Sequence, residues 1–78
     1  MRKHLRSSRH KSLMAVLMAA RADAGITQRE LARRLGRAHS FVGKLESGER
    51  QLNVLEFIEV ARALGVEPSA LLRRVEDG

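Results

Sequence analysis

The sequence predicts one all-α domain of five short helices, and three observations carry that prediction. Apolar residues recur at helical spacing along most of the chain, and no stretch alternates with the period of two that marks a β-strand. Glycines follow the periodic segments where helices would end. The 78 residues are enough for a single small core, and with only two aromatic residues that core is aliphatic.

The first predicted helix covers about residues 12–24 and ends at Gly25. Its apolar residues lie about one turn apart, which predicts one face turned towards the core. Any of three serines could cap its start, namely Ser7, Ser8 and Ser12, so the start is defined only to about one turn.

The second and third predicted helices are short and lie close together. Thr27 and Glu30 form a capping box, in which each side chain accepts from the backbone amide of the other. The helix that begins there ends at Gly36, and a third helix covers about residues 39–47, beginning at residue 39 or 40. Two short helices joined by a glycine-containing turn have the dimensions of a helix-turn-helix.

The fourth predicted helix is the best defined of the five. Asn53 and Glu56 form a second capping box at its start, and Gly65 ends it. Its predicted apolar face consists of Val54, Phe57, Ile58, Ala61 and Leu64. Pro68 then occupies the first position of a fifth helix that continues to about Val75.

The positive charge is concentrated at the start of the chain. The first twelve residues carry five basic side chains and no acidic one, out of a net charge of +6. Residues 1–11 are therefore predicted to be a basic arm, disordered or partly helical, ahead of a domain over residues 12–78. Such an arm seeks nucleic acid or an anionic membrane, or is a solvated tail. Only Met1 and Leu5 could insert into a bilayer, which disfavours the membrane.

Several classes of function are disfavoured. The chain has no cysteine, which excludes a disulfide scaffold or a thiolate metal site and suits a reducing, cytoplasmic location. The three histidines lack the spacing of metal ligands, and no phosphate-binding glycine loop is present. We therefore expect no metal, no cofactor, no small-molecule effector and no enzymatic activity. No targeting segment or membrane span is expected either.

The outer face of the third helix is small, polar and cationic. It carries His39, Ser40, Gly43 and Lys44, while Val42 and Leu45 turn inward. A helix that is merely solvated usually carries mixed Glu and Lys pairs. We interpret this face as a contact surface.

Residues 13–72 resemble the helix-turn-helix repressors of the Cro and lambda-repressor type, often called the Xre family. The resemblance is carried by Thr27-Gln28-Arg29-Glu30-Leu31-Ala32, by Leu35-Gly36, by Ser40-Phe41-Val42, by Leu45-Glu46-Ser47-Gly48-Glu49-Arg50 and by Ala61-Arg62-Ala63-Leu64-Gly65-Val66. It implies a lambda-repressor-like domain of five helices whose third helix enters the major groove of double-stranded DNA. Proteins of this type usually bind a palindromic operator as a symmetric homodimer.

The resemblance also implies roles for individual residues. By position, His39, Ser40 and Lys44 are the candidates for base contacts, and Gly43 allows close approach. Gln28 resembles a glutamine that contacts a phosphate and braces the third helix, and Arg21 would form an architectural ion pair with Glu46. Arg29, Arg37 and Arg50 are placed for phosphates, while Arg33 and Arg34 are expected on a solvated face.

Two of these roles have open alternatives. Lys44 could meet a base, a phosphate or only solvent. Phe41 could touch a thymine methyl, or pack against the second helix or the loop that follows the third.

The expected function is a sequence-specific transcriptional regulator, by default a homodimeric repressor. Leu71, Leu72 and Val75 are the candidates for the dimer interface, with core packing as the alternative for the two leucines. Leu52 and a strip formed by Met14 and Met18 are lesser candidates. The alternative function is an antitoxin or another protein-interaction module of the same fold, for which residues 73–78 leave little room.

Overall fold

The computed structural model describes residues 7–78, and this part of the chain forms five α-helices and no strand. The helices are α1 (Ser8–Ala24), α2 (Gln28–Leu35), α3 (Ser40–Ser47), α4 (Val54–Ala63) and α5 (Pro68–Asp77). The predicted fold class is confirmed. Residues 1–6 of the predicted basic arm lie outside the described residues. Within residues 7–78, no helix has both the length and the apolar character needed to cross a membrane.

The first helix begins about one turn before Ser12. The Ser7 hydroxyl oxygen accepts from the backbone amide of His10 at 3.0 Å, so Ser7 is the N-cap among the three serines. No proline or glycine stands between Ser8 and Ser12 to stop a helix. Residues 8–11, which belong to the predicted basic arm, therefore form the first turn of α1. The predicted boundary between the arm and the domain, at residues 11 and 12, stays a prediction.

One of the two predicted capping boxes forms completely. At the start of α4, the Asn53 side chain accepts from the Glu56 amide at 2.8 Å, and the Glu56 carboxylate accepts from the Asn53 amide at 3.1 Å. At the start of α2, the Thr27 hydroxyl accepts from the Glu30 amide at 3.0 Å, but the return bond was predicted wrongly. The Glu30 carboxylate instead accepts from Arg33 and Arg34.

Glycines end the first three helices in the left-handed conformation. At Gly48, which ends α3, φ is 85°, and a Cβ atom placed there would lie 2.8 Å from the sulfur of Met14. Met14 is partly buried, whereas Met18 is 47% exposed. The two methionines therefore do not form one uniform exposed strip.

The core is aliphatic apart from the Phe41 ring and receives side chains from all five helices. Its buried members are Leu17, Ala20, Leu31, Ala32, Phe41, Val42, Leu45, Val60, Ala61, Leu64 and Leu71. The predicted apolar face of α4 was partly wrong. Val54 is 74% exposed and Ile58 is 39% exposed, whereas Ala61 and Leu64 are buried as predicted and Phe57 packs partly buried against the core. Val60, which was not in the predicted face, is also buried where α4 packs on α2 and α5.

Two of the three residues expected at a dimer interface belong to the core. Leu71 is 0% exposed and Val75 is 7% exposed, because α5 turns this face towards α1 and α4. Leu71 was wrong as an interface candidate, since a fully buried side chain cannot reach a second subunit. Val75 lines a surface groove beside Leu72, and its role at an interface stays a prediction. Leu72 is 56% exposed, so it stays available, and Leu52 packs partly buried against the core.

Candidate nucleic-acid interface

The second and third helices pack against each other and leave one face of α3 outside. Buried side chains of both helices, Leu31 and Ala32 from α2 and Val42 and Leu45 from α3, belong to the same core cluster. His39, Ser40 and Lys44 are exposed, and Gly43 is half-buried. The three polar residues expected at base edges therefore share one exposed surface, with the backbone of Gly43 between them.

Gly43 lies against the side chain of Gln28, the first residue of α2. A Cβ atom at Gly43 would be 3.4 Å from Gln28 Oε1, which is ordinary contact. The Gln28 amide nitrogen donates to Glu46 Oε1 at 2.9 Å. Gln28 thus braces α3 from the start of α2, while its phosphate contact stays a prediction.

Glu46 connects the first three helices. The Arg21 guanidinium from α1 donates to both carboxylate oxygens of Glu46, at 2.7 and 3.1 Å, and to the carbonyl of Ile26 at 2.9 Å. The exposed fractions of the two side chains are 19% for Arg21 and 5% for Glu46. The hydrogen bond to Glu46 raises the pKa of Arg21 above its ordinary value. This pair fixes the orientation of α3 on the domain.

A second group of interacting side chains, the Phe41 cluster, consists of Phe41, Arg37, Arg50 and Glu56. The Phe41 ring is buried, and the guanidinium carbons of Arg37 and Arg50 lie 4.6 and 4.8 Å from its centroid. These distances are typical of cation–π contacts. Because the ring is only 8% exposed, the geometry favours the packing alternative for Phe41, and its contact with a thymine methyl stays a prediction.

Glu56 holds both arginines of the Phe41 cluster. Arg50 donates through Nη1 and Nη2 to the two carboxylate oxygens, at 2.9 and 2.8 Å, and Arg37 donates through Nη2 at 3.1 Å. The hydrogen bonds from Arg50 and from the Asn53 amide lower the pKa of Glu56 to about 2. Sequence reasoning assigned Glu56 to the capping box alone and missed these ion pairs.

Two shallow grooves flank the Phe41 cluster, and Arg37 borders both. The first is lined by Arg29, Ala32, Arg33, Arg37 and His39. The second is lined by Arg37, Ala38, Ser40, Phe41, Lys44 and Arg50. Within the described residues, neither lining contains an acidic side chain. Apart from Gln28 and Gly43, all the candidates for base and phosphate contact line one or both of these grooves. Arg33, which sequence reasoning expected on a solvated face, lines the first groove as well.

Two short packed helices with an exposed, cationic second helix define the class of this protein: it is a helix-turn-helix DNA-binding domain. Residues 7–78 contain no group of three His, Asp or Glu side chains placed to hold a metal ion.

A helix-turn-helix family profile matches residues 17–71. A solved XRE-family like protein from Pseudomonas syringae pathovar tomato is 48% identical, with a TM-score of 0.86 over 96% of this chain and 92% of that one. The clp gene regulator ClgR from Corynebacterium glutamicum is 29% identical, with a TM-score of 0.80 over 88% of this chain and 90% of that one. The restriction-modification controller protein C.AhdI from Aeromonas hydrophila is 31% identical, with a TM-score of 0.73 over 80% and 90%.

No curated protein sequence matches the chain. The profile and the structural similarities nevertheless agree over most of its length. The chain belongs to the XRE family of helix-turn-helix proteins.

Proposed function

We propose that this DNA-binding transcription regulator is a repressor that occupies a palindromic operator as a homodimer. The observation that carries the proposal is the exposed face of α3, where His39 lines the first of the two cation-lined grooves and Ser40 and Lys44 line the second. A helix with such a face fits the major groove of a duplex. The names of the solved neighbours, a gene regulator and a controller protein, support a regulatory role. Action in the cytoplasm and the absence of catalysis are parts of this proposal.

Base recognition is proposed for the centre of the exposed face. The Lys44 ammonium can donate to guanine O6 and N7, and the His39 ring can donate or accept at a purine edge. Ser40 can reach either a base edge or a phosphate. Gly43 lets the backbone of α3 approach the bases, since it adds no side chain at the centre of that face.

Phosphate contacts are proposed for the rim. Arg29, Arg37 and Arg50 line the two grooves, and Gln28 stands at the start of α2. If about five phosphates are neutralised per subunit, log K should fall with log salt with a slope of about −9 for the dimer.

A symmetric homodimer buries the same surface of both subunits across a two-fold axis, so the proposed homodimer needs one exposed apolar surface on each subunit. Leu72 on α5 is 56% exposed and remains a candidate for the dimer interface, as the sequence predicted. The beginning of α4 offers a second surface, since Val54 and Leu55 are 74% and 72% exposed. Sedimentation equilibrium of Leu72→Glu and Leu55→Glu tests the two surfaces, and the variant that becomes monomeric identifies the interface.

The same α4 surface supports the second candidate function, a module that binds a partner protein. Exposed apolar side chains of this size often mark interaction sites. A chain that stays monomeric at high concentration and binds no duplex would favour this candidate over the repressor.

The proposed function is tested by selecting duplexes from a random-sequence pool with the full chain. We expect one enriched motif with dyad symmetry, and protection of two half-sites about one helical turn apart. A reporter gene with the selected site in its promoter should be silenced by the protein. Failure to enrich any motif, or a single asymmetric site bound by a monomer, would overturn the proposal.

A further inference from the structure

The Phe41 cluster connects the two ends of α3 to α4. Arg37 precedes α3, Phe41 lies in its first turn, and Arg50 follows its last turn. Glu56 lies in the first turn of α4 and receives both arginines. One carboxylate therefore holds a cation from each end of the helix that faces the DNA.

The two arginines differ in how many donors the protein already uses. A guanidinium has five N–H donors. Arg50 donates through Nη1 and Nη2 to Glu56 and through Nη1 to the carbonyl of Gln51 at 2.8 Å. Arg37 donates to Glu56 only through Nη2, and within the described residues its Nε and Nη1 make no hydrogen bond. Arg50 is thus bound mainly by the protein, whereas one edge of Arg37 stays open.

The cluster is also arranged with its charge outward. The side chain of Glu56 is 10% exposed, while those of Arg37 and Arg50 are 37% and 38% exposed. Two guanidinium groups and one carboxylate leave one net positive charge. Arg37 itself lines both of the cation-lined grooves.

We propose that Glu56 is a positioning residue for DNA binding, which holds Arg37 in place as a phosphate-binding group and uses Arg50 to fix the loop after α3. This inference rests on the proposed function. An arginine already fixed on a carboxylate and an aromatic ring has lost its side-chain freedom before DNA arrives, so binding a phosphate costs less entropy. Lysine could not replace Arg37, because an ammonium group lacks the planar guanidinium that can bind a carboxylate and stack on an aromatic ring at the same time.

When the Glu56 carboxylate is removed, positioning and simple electrostatics predict opposite changes in DNA affinity. Removing a carboxylate beside a polyanion raises the local positive charge and, by charge alone, tightens binding. If Glu56 positions Arg37, its removal weakens binding although the protein becomes more positive. The substitution Glu56→Gln separates the two effects, since glutamine can still accept from the Asn53 amide in the capping box.

The matched control is Glu30→Gln. Glu30 also lies at the third position of its helix, also receives two arginines, and its pKa is likewise about 2. Its partners, Arg33 and Arg34, belong to its own helix. Arg33 lines the first groove and Arg34 also donates to the carbonyl of Ala63 at the end of α4, so neither fixes an end of α3. Glu30→Gln removes the same charge, so we expect it to bind DNA as tightly as the unaltered chain or more tightly.

The experiment measures the affinity of the full-length chain for the duplex that the unaltered protein selects. We expect Glu56→Gln to bind about tenfold more weakly per subunit, the effect of one charge-assisted hydrogen bond. The slope of log K against log salt should become shallower by about 0.9 for each phosphate that the variant no longer neutralises. In an Arg37→Ala background, Glu56→Gln should have a clearly smaller further effect, limited to the contribution of Arg50, whereas a merely structural role for Glu56 would produce the same loss in both backgrounds.

The measured affinities decide whether Glu56 positions Arg37. Tighter binding by Glu56→Gln, or an equal loss with and without Arg37, overturns the inference while the proposed function stands. If the unaltered chain selects no duplex, the proposed function itself fails. Should circular dichroism show Glu56→Gln to be unfolded, Arg37→Lys at the exposed partner decides instead: a tenfold loss supports positioning, and unchanged affinity refutes it.

Discussion

Replacing Lys44 by alanine tests the exposed face of α3 most directly. The Lys44 side chain is exposed, and within the described residues its ammonium makes no hydrogen bond or ion pair. The free energy of unfolding should therefore change by no more than about 0.5 kcal/mol. A base contact is worth about 1–3 kcal/mol in each half-site, so affinity should fall about 5- to 150-fold per half-site.

The assay is competition binding to the selected operator and to its single-base-pair variants. If Lys44 reads a base, the variant loses its preference at one symmetry-related position and binds the other variants with unchanged ranking. Arg62→Ala removes the same charge from a 64% exposed side chain on α4, away from the proposed DNA contacts, and serves as the control. A uniform loss over all duplexes with a shallower salt slope would assign Lys44 to a phosphate. No loss of affinity would refute the assignment of this face to DNA.

Three further perturbations test the packing and the ion pairs. Arg21→Ala leaves Glu46, whose side chain is 5% exposed, without its cation, and should lower the free energy of unfolding by about 3 kcal/mol in a urea titration. Gly48→Ala puts a Cβ atom 2.8 Å from the Met14 sulfur at a φ of 85°, and should cost about 2 kcal/mol by the same measurement. Glu56 has its pKa lowered to about 2 from 4.5, so its contribution to stability is present above pH 4.5 and is lost as the pH falls towards 2. The melting temperature of Glu56→Gln should therefore fall less than that of the unaltered chain over this range.

A matched control protein tests the physical reason behind each of these three expected losses of stability. Arg33→Ala breaks an ion pair whose arginine is 72% exposed and should cost less than about 1 kcal/mol, so a loss as large as that of Arg21→Ala would contradict the argument from burial. Gly36→Ala shares the left-handed backbone, with a φ of 68°, but its Cβ atom would meet nothing within 4 Å. Equal losses at Gly36 and Gly48 would show that Met14 contributes nothing. If the melting temperatures of Glu56→Gln and of the unaltered chain fall equally between pH 4.5 and 2, the ionised Glu56 carboxylate does not contribute to stability as argued.

The ends of the helices could be predicted because their causes are local. Thr27, Asn53 and Pro68 begin helices, and the glycines that follow α1 to α3 end them, through contacts that span only a few residues. The exposed face of α3 could be predicted for a related reason. That helix has polar or small residues on one side and apolar residues on the other, so only one orientation buries the apolar side.

The buried faces of α4 and α5 could not be predicted from periodicity alone. Apolar residues occupy almost the whole circumference of the first turns of α4, so Val54 and Val60 fit different faces equally well. On α5, Leu71 and Leu72 are adjacent, and both lie at helical spacing from Val75. Only the packing of α5 on α1 and α4 decides that Leu71 is 0% and Leu72 56% exposed.

The two capping glutamates show how the same local motif leads to different structures. Glu30 has arginines three and four residues further along its own helix, and these charged donors take its carboxylate away from the Thr27 amide. The corresponding positions after Glu56 are Glu59 and Val60, which offer no donor. Its carboxylate therefore closes the capping box and stays open to cations from other parts of the chain. A glutamate at the third position of a helix without a basic residue one turn later is thus a local signal for a longer-range ion pair, and it could have identified Glu56 before the fold was known.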